Sequence, residues 1–185
     1  MLPITDGTIT IDSIPLALIS PSEIRNRLVA VSQEPYIFPS TIRENLDHSS
    51  IHSDTSIITA LQTVQLWESS ILLRGGLEAQ IDDKFFSHGQ AQLFSLARAL
   101  LRKPRLLILD EVTSSLDAET EAVVKRVLES DVFAGVTVLA VAHRLEFIKD
   151  FDRVVVLERG RIVEVGRPEE LMSREDGKWR GLVAG

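Results

Sequence analysis

The run Leu106-Leu-Ile-Leu-Asp110-Glu111 limits what this chain can fold into more than any other part of it. Unbroken branched aliphatics with no polar alternation fit a strand buried on both faces, and such strands belong to parallel sheets layered between helices. A strand of this kind that ends in adjacent carboxylates delivers them to the C-terminal edge of the sheet, where open α/β folds bind ligands. Asp110 is then placed to hold a divalent cation such as Mg²⁺, directly or through water, and Glu111 to orient an attacking water. The plainer reading is a buried strand that runs out into solvated acids.

The flanking sequence supports an α/β alternation. After Gln90 the positions Leu93, Leu96, Ala97, Leu100 and Leu101 recur at helical spacing, and Pro104 ends that helix. Arg105 to Asp110 then reads as a fully buried parallel strand, Asp117 to Ser130 as a helix with Val123, Val124, Val127 and Leu128 inward, and Val136 to Ala142 as another buried strand. Upstream, Thr8 to Asp12 alternates apolar and polar residues as a half-buried antiparallel strand does, and Leu28 to Ser32 is a continuous apolar strand. Between them and Gln90 lies an all-helical stretch: Asp54 can cap a helix carrying Ile57, Ile58, Leu61 and Val64, and a short segment around Ile71 to Leu73 ends at Gly75-Gly76. Downstream, Val154–Leu157 and Arg161–Val165 flank Glu158-Arg159-Gly160 as a hairpin, and Pro168 suits the first turn of a last helix.

Composition removes several classes of function. A net charge of −7 and a pI near 5.1 argue against the broad basic surface that nucleic acid requires, so nucleic acid is not an expected partner. With no cysteine there is no disulfide framework and no thiolate metal site. No stretch approaches the roughly 20 apolar residues that span a bilayer. The opening Met1-Leu-Pro-Ile-Thr-Asp6 lacks the basic and apolar regions of a signal peptide.

Other segments fall in a telling order around the Asp110-Glu111 strand. Phe86-Ser-His-Gly-Gln90 opens a helix, so Ser87 and Gly89 stand at a positive helix terminus where free N–H groups can grip a phosphate; an ordinary N-cap is the competing reading of Ser87. Gln33 precedes this pentapeptide, and Ser114-Ser-Leu-Asp117 and Ala142-His143-Arg144 follow the strand. A lone histidine is more often a core or surface residue; the place of His143 after a buried strand argues for more.

The ordered series resembles the ABC transporter ATPases over nearly the whole chain, residues 1–185 forming part of one nucleotide-binding domain. The resemblance implies an α/β P-loop NTPase core with an antiparallel β piece and a helical subdomain at about 41–101. Ser32 to Leu46 is similar to the Q-loop region of exporters, which in the family receives the membrane domain's coupling helix; Gln33 would reach Mg²⁺ and the water. Phe86 to Gln90 resembles the signature, in which Ser87, His88, Gly89 and Gln90 would face a partner's nucleotide; Leu106 to Glu111 resembles the Walker B strand, Ser114 to Asp117 the D-loop, and His143 the switch histidine. Glu111, His143 and Gln33 would be catalytic, Asp110 and Gln33 would serve the metal, and Asp117 would join the nucleotide contacts. The cofactors would be ATP and Mg²⁺, and the reaction in-line attack of water on ATP. The partners would be a second nucleotide-binding domain, head to tail, and the transmembrane domains of an exporter at the cytoplasmic face of a membrane. Ile9 to Asp12, Ile24-Arg25, Leu96 to Arg102 and Asp110 to Ser115 look most like the second nucleotide domain of the multidrug-resistance-associated (ABCC-type) exporters.

The pattern also departs from the family. Gly-x-x-x-x-Gly-Lys-Ser/Thr does not occur: Gly177-Lys178 is followed by Trp179, with Met172 where the first glycine should stand. The family places this P-loop upstream of Thr8, so the expectation is a core without its P-loop strand and helix, truncated before them and inactive alone. His88 stands where the signature has glycine, and the stretch from Ile81 to Phe86 is shorter and lacks the family's glycines. Two rival readings remain: a non-catalytic fragment that pairs with an intact domain, and the ATPase head of a chromosome-maintenance or repair protein, which would want coiled-coil heptads.

Overall fold

A computed structural model describes residues 6–184. At its centre is a three-stranded parallel sheet in the order β3-β4-β5, formed by β3 (Leu28–Val31), β4 (Leu106–Asp110) and β5 (Thr137–Val141). The long connections between these strands carry the helices, as parallel pairing requires. Ahead of β3 come β1 (Thr10–Ile11) and β2 (Ile14–Pro15), an antiparallel pair, and α1 (Pro21–Arg27), capped by Ser20 with Pro21 at its first position. Between β3 and β4 lie α2 (Ile42–Leu46), α3 (Asp54–Thr63) and α4 (His88–Arg102). After β4 come α5 (Ala118–Glu129), β5, α6 (Leu145–Ile148), the antiparallel hairpin of β6 (Val154–Glu158) and β7 (Arg161–Gly166), α7 (Pro168–Met172) and α8 (Lys178–Ala184). Among the described residues no helix is long and apolar enough to cross a membrane.

Register decides which side of the sheet is core. Val29 pairs with Leu107 and Leu107 with Val138, while Val31 pairs with Leu109 and Leu109 with Ala140, so these residues share one face. That face packs against Leu93, Leu96 and Ala97 of α4 and Val123, Val124 and Val127 of α5 in one continuous apolar cluster. The opposite face carries Ala30, Ile108, Leu139 and Val141, and there Leu139 is 55% and Val141 51% exposed. The aliphatic runs predict strands buried on both faces; instead β4 has only Leu107 and Leu109 fully buried, and β5 alternates between exposed and half-buried residues. On this second face Ala30, Leu139 and Val141 are exposed and Ile108 is half-buried, and among the described residues the outer edge of β5 has no hydrogen-bonded neighbour strand.

Local details correct other expectations. The strand expected over Thr8 to Asp12 shrinks to two residues, because Asp12 and Ser13 take positive φ and turn the chain at once. Ser53, not Asp54, caps α3: its Oγ accepts from the Ser56 N–H, and Asp54 becomes the first helical residue and pairs with Arg43 instead. The hairpin turn is narrowed to Arg159 and Gly160, both at positive φ. The last helix, α8, has no signal in the sequence pattern; it is held by Glu164 of β7, whose carboxylate accepts from the N–H groups of Lys178 and Trp179.

Candidate active site

β4 ends at Asp110, exposed at the last strand position, and the chain turns on the next residue. Glu111 has φ of +50°, left-handed backbone that is uncommon for a residue other than glycine. What holds it there is visible: the Glu111 N–H donates to the Val141 carbonyl at 2.9 Å, prolonging the sheet by one bond, and the Ser114 N–H returns to the Glu111 carbonyl at 3.1 Å. Such backbone costs on the order of 1–3 kcal/mol and is found where geometry matters. Its outcome is to bring the Glu111 side chain to His143, which lies just beyond β5: His143 Nε2 donates to Glu111 Oε1 at 2.9 Å.

Gln33, just past β3, meets the same loop from the other side, its Nε2 donating to Ser114 Oγ at 3.3 Å. The C-terminal ends of the three parallel strands thus lead to Gln33, Asp110, Glu111 and His143, the edge where ligand sites lie in such sheets; Glu111 and His143 are hydrogen-bonded to each other, and Gln33 reaches the Glu111 loop through Ser114. Arg144 secures the histidine's turn, donating to the Leu116 carbonyl at 3.0 Å and lying 2.5 Å from a Glu121 carboxylate oxygen.

Ser87, His88, Gly89, Gln90 and Asp117 form a second group. Ser87 caps α4 through a reciprocal capping box: its Oγ accepts from the Gln90 N–H at 3.2 Å, and Gln90 Oε1 accepts from the Ser87 N–H at 3.0 Å. Gln90 Nε2 donates to Ser70 Oγ at 2.8 Å, His88 is exposed, and Gly89 is buried. A Cβ on Gly89 would stand 3.1 Å from Thr120 Oγ1 and 3.2 Å from its Cγ2, so the helices meet through the missing side chain. Asp117 caps α5, accepting from both the Thr120 N–H and the Thr120 hydroxyl, and those bonds hold its carboxyl below the ordinary range. Among the described residues no side-chain hydrogen bond or ion pair joins this group to the Glu111 cluster.

Sequence reasoning missed the polar residues behind the first group. Asn45 is buried, donates to the carbonyls of Phe38 and Thr41, and accepts from the Phe38 N–H and from Arg98. Arg98 of α4 also donates to the carbonyls of Asn45 and Tyr36; burial, and then the charge of Arg102, push it down to about 10, with no ion-pair partner among the described residues. Gln92 of α4 reaches the carbonyls of Ser32 and Gln33. The sequence signal was available in part, since Gln92 falls on the buried stripe with Gly89, Leu93 and Leu96.

Fit to a bound group can be judged from these donors. Asp110 and Gln33 carry a carboxylate and an amide oxygen, donor types that suit Mg²⁺ when phosphates and waters complete its shell. Among the described residues there is no closed cluster of ligating side chains that would hold a metal alone.

A parallel sheet with carboxylates at its carboxyl edge and helices on its covered face is an α/β architecture with the ligand edge of open α/β folds. The ABC transporter family profile matches residues 1–114, and the chain belongs to that family. It is 46% identical over 92% of its length to ABC transporter ecdL of Aspergillus rugulosus, 43% identical over 100% to ABC multidrug transporter B of Aspergillus fumigatus, and 42% identical over 96% to ATP-binding cassette sub-family C member 8 of Homo sapiens. It spans 11%, 12% and 11% of the lengths of these relatives. Among solved structures, a bacterial Atm1-family ABC exporter with ATP bound superposes with a TM-score of 0.88 and 28% identity over 97% of this chain and 32% of that one. The fold is that of an ABC ATPase core.

Proposed function

We propose that this chain is the part of a nucleotide-binding domain that supplies the hydrolytic carboxylate and the phosphate-gripping helix of an ABC exporter, coupling ATP hydrolysis to transport of small molecules. The observation that carries the reading is Glu111, turned by left-handed backbone onto His143. In this reading Glu111 polarises the attacking water, His143 holds the carboxylate and reaches the terminal phosphate, and Asp110 with Gln33 takes Mg²⁺. ATP supplies the phosphoryl group and Mg²⁺ neutralises its developing charge.

The separation of the two groups of residues supports a head-to-tail pairing. Ser87 and Gly89, which make no hydrogen bond to this chain's own Glu111, serve a nucleotide held mainly by a second domain, and that domain's equivalent turn serves the site at Glu111. Similarity to the human sub-family C member and to fungal transporters supports an ABCC-type exporter with transmembrane partners, a second nucleotide domain being the finer reading. The partly exposed face of the sheet and the free edge of β5 are where a P-loop strand and helix would lie, covering Leu139 and Val141 and bringing the phosphate cradle to Asp110.

Calorimetry tests this directly. The chain alone is expected to show no micromolar binding of Mg-ATP; joined to an upstream segment carrying a P-loop strand and helix, it is expected to bind. In that longer form Glu111→Gln retains binding and loses at least about 100-fold in turnover, the lower end for removing a general base. Micromolar binding by the chain alone, or full turnover with Gln at 111, refutes the assignment.

A further inference from the structure

We infer that Gln92 is a positioning residue for Gln33, fixing the backbone from which the Gln33 side chain reaches Ser114. Gln92 sits in the second turn of α4, on the face that carries Gly89, Leu93, Leu96 and Ala97 into the core, and is only 3% exposed. Its Nε2 donates to the Ser32 carbonyl at 3.1 Å and to the Gln33 carbonyl, while its Oε1 is buried with no hydrogen-bond partner. An apolar residue would complete the stripe without stranding an acceptor, a burial that costs free energy each time it is left unmade. What the amide secures in return is specific: both of its donors end on the backbone where β3 stops and the Gln33 loop begins.

The consequence is mechanical. Ser87 caps the same helix one turn before Gln92, and Arg98 grips the Tyr36 and Asn45 carbonyls further along it. The segment from Ser32 to Asn45, which runs into α2, is thus tied to one rigid rod at successive points, with Gln92 at the end that matters for Gln33. A shift of α4 moves the Gln33 backbone with it, so the amide couples the phosphate-gripping turn to the residue placed for metal and water. This rests on the functional reading above for the importance of Gln33, but the tether itself is testable without nucleotide.

The test is solution NMR on the chain. In Gln92→Leu, the carbonyl resonances of Ser32 and Gln33 are expected to move, the backbone order parameter at Gln33 to fall from about 0.85 to below about 0.6, and the Gln33 side-chain amide to shift toward its position in Ser114→Ala. Signals from β4 and α5 should stay in place. In Ser114→Ala the carbonyl resonances of Ser32 and Gln33 should not move, which separates the tether from the side-chain contact. Gln92→Met, closer in length, serves if the leucine variant unfolds. Unchanged carbonyl and side-chain signals at Gln33 overturn the inference, and so does loss of order spread evenly over the chain in both variants, since Gln92 is then only a core residue. Because no nucleotide is present, failure here is distinct from failure of Glu111→Gln to lose turnover.

Discussion

Gly89→Ala offers a test in which the sign of the effect can be reversed. Alanine in the first turn of α4 gains about 0.8–1 kcal/mol of helix propensity over glycine. Against this, the new Cβ meets Thr120 Oγ1 at 3.1 Å and Cγ2 at 3.2 Å, tighter than ordinary contact. Thr120 cannot simply turn away, because its hydroxyl is bonded to Asp117 Oδ2 at 2.8 Å and its N–H to Oδ1. Overpacking of this kind costs about 1–3 kcal/mol, so the net expectation is destabilisation by about 0.5–2 kcal/mol. In a chain of this size that lowers the melting temperature by a few degrees, at about 2–4 °C per kcal/mol. Thr120→Ala removes both offending atoms and leaves only an ordinary 3.5 Å contact to its Cβ, so there Gly89→Ala should stabilise by about 1 kcal/mol. Urea unfolding of the four proteins in this cycle gives the coupling directly. Equal destabilisation by Gly89→Ala with and without Thr120 would refute the packing argument and leave Gly89 to be explained by its backbone alone.

Other expectations follow from the same geometry. Ser87→Asp should retain the stability of α4, since aspartate caps as well as serine and favours the helix dipole, yet it should abolish ATP-dependent pairing with an intact nucleotide domain in sedimentation, because a carboxylate has no proton to donate and repels phosphate. Glu164 is held below its ordinary range, first by the Trp179 N–H and then by that of Lys178. A depressed carboxyl stabilises above its unfolded value and loses that contribution as pH falls through the folded one, so α8 should loosen in acid below about pH 4. Trp179 fluorescence in a Trp67→Phe background reports this, and Glu164→Gln should remove the transition.

How much was legible in the sequence depends on where each signal resides. The β4 strand, α4, α5 and the hairpin write their period or turn residues locally, so Leu106–Asp110 and Arg159-Gly160 stood out. The burial of β5 did not follow, because the residues between Thr137 and Val141 encode a strand covered on both sides, whereas residues 6–184 cover one. Asn45, Gln92 and Arg98 were passed over because a hydrophobic pattern treats every polar residue as outward, and their partners lie far away in sequence among backbone carbonyls. The same holds for α8, whose cap comes from Glu164 on another element. Of the candidate site, the order of motifs singled out the carboxylates and His143 as candidates, but not the left-handed backbone that turns Glu111: nothing in Asp110-Glu111-Val112 marks a positive φ, which glycine or asparagine would have announced.

The roles weighed for Ser87, helix cap and phosphate ligand, look like alternatives only if the hydroxyl is counted once. A serine oxygen offers one proton and two lone pairs. In this structure the Gln90 N–H occupies one lone pair, and the Gln90 side chain takes the Ser87 N–H, leaving the hydroxyl proton uncommitted. The cap therefore fixes the oxygen in place without spending the donor that a phosphate would use. Alanine at this position removes both functions together and cannot separate them, whereas aspartate keeps the acceptor and discards the proton. The same count explains how an off-pattern His88 is compatible with an intact helix start: His88 is exposed and adds bulk on the outer side, while the reciprocal bonds between Ser87 and Gln90 close over the backbone beneath it. In the proposed pairing His88 would alter the approach of a second domain, and the cap is left as it is.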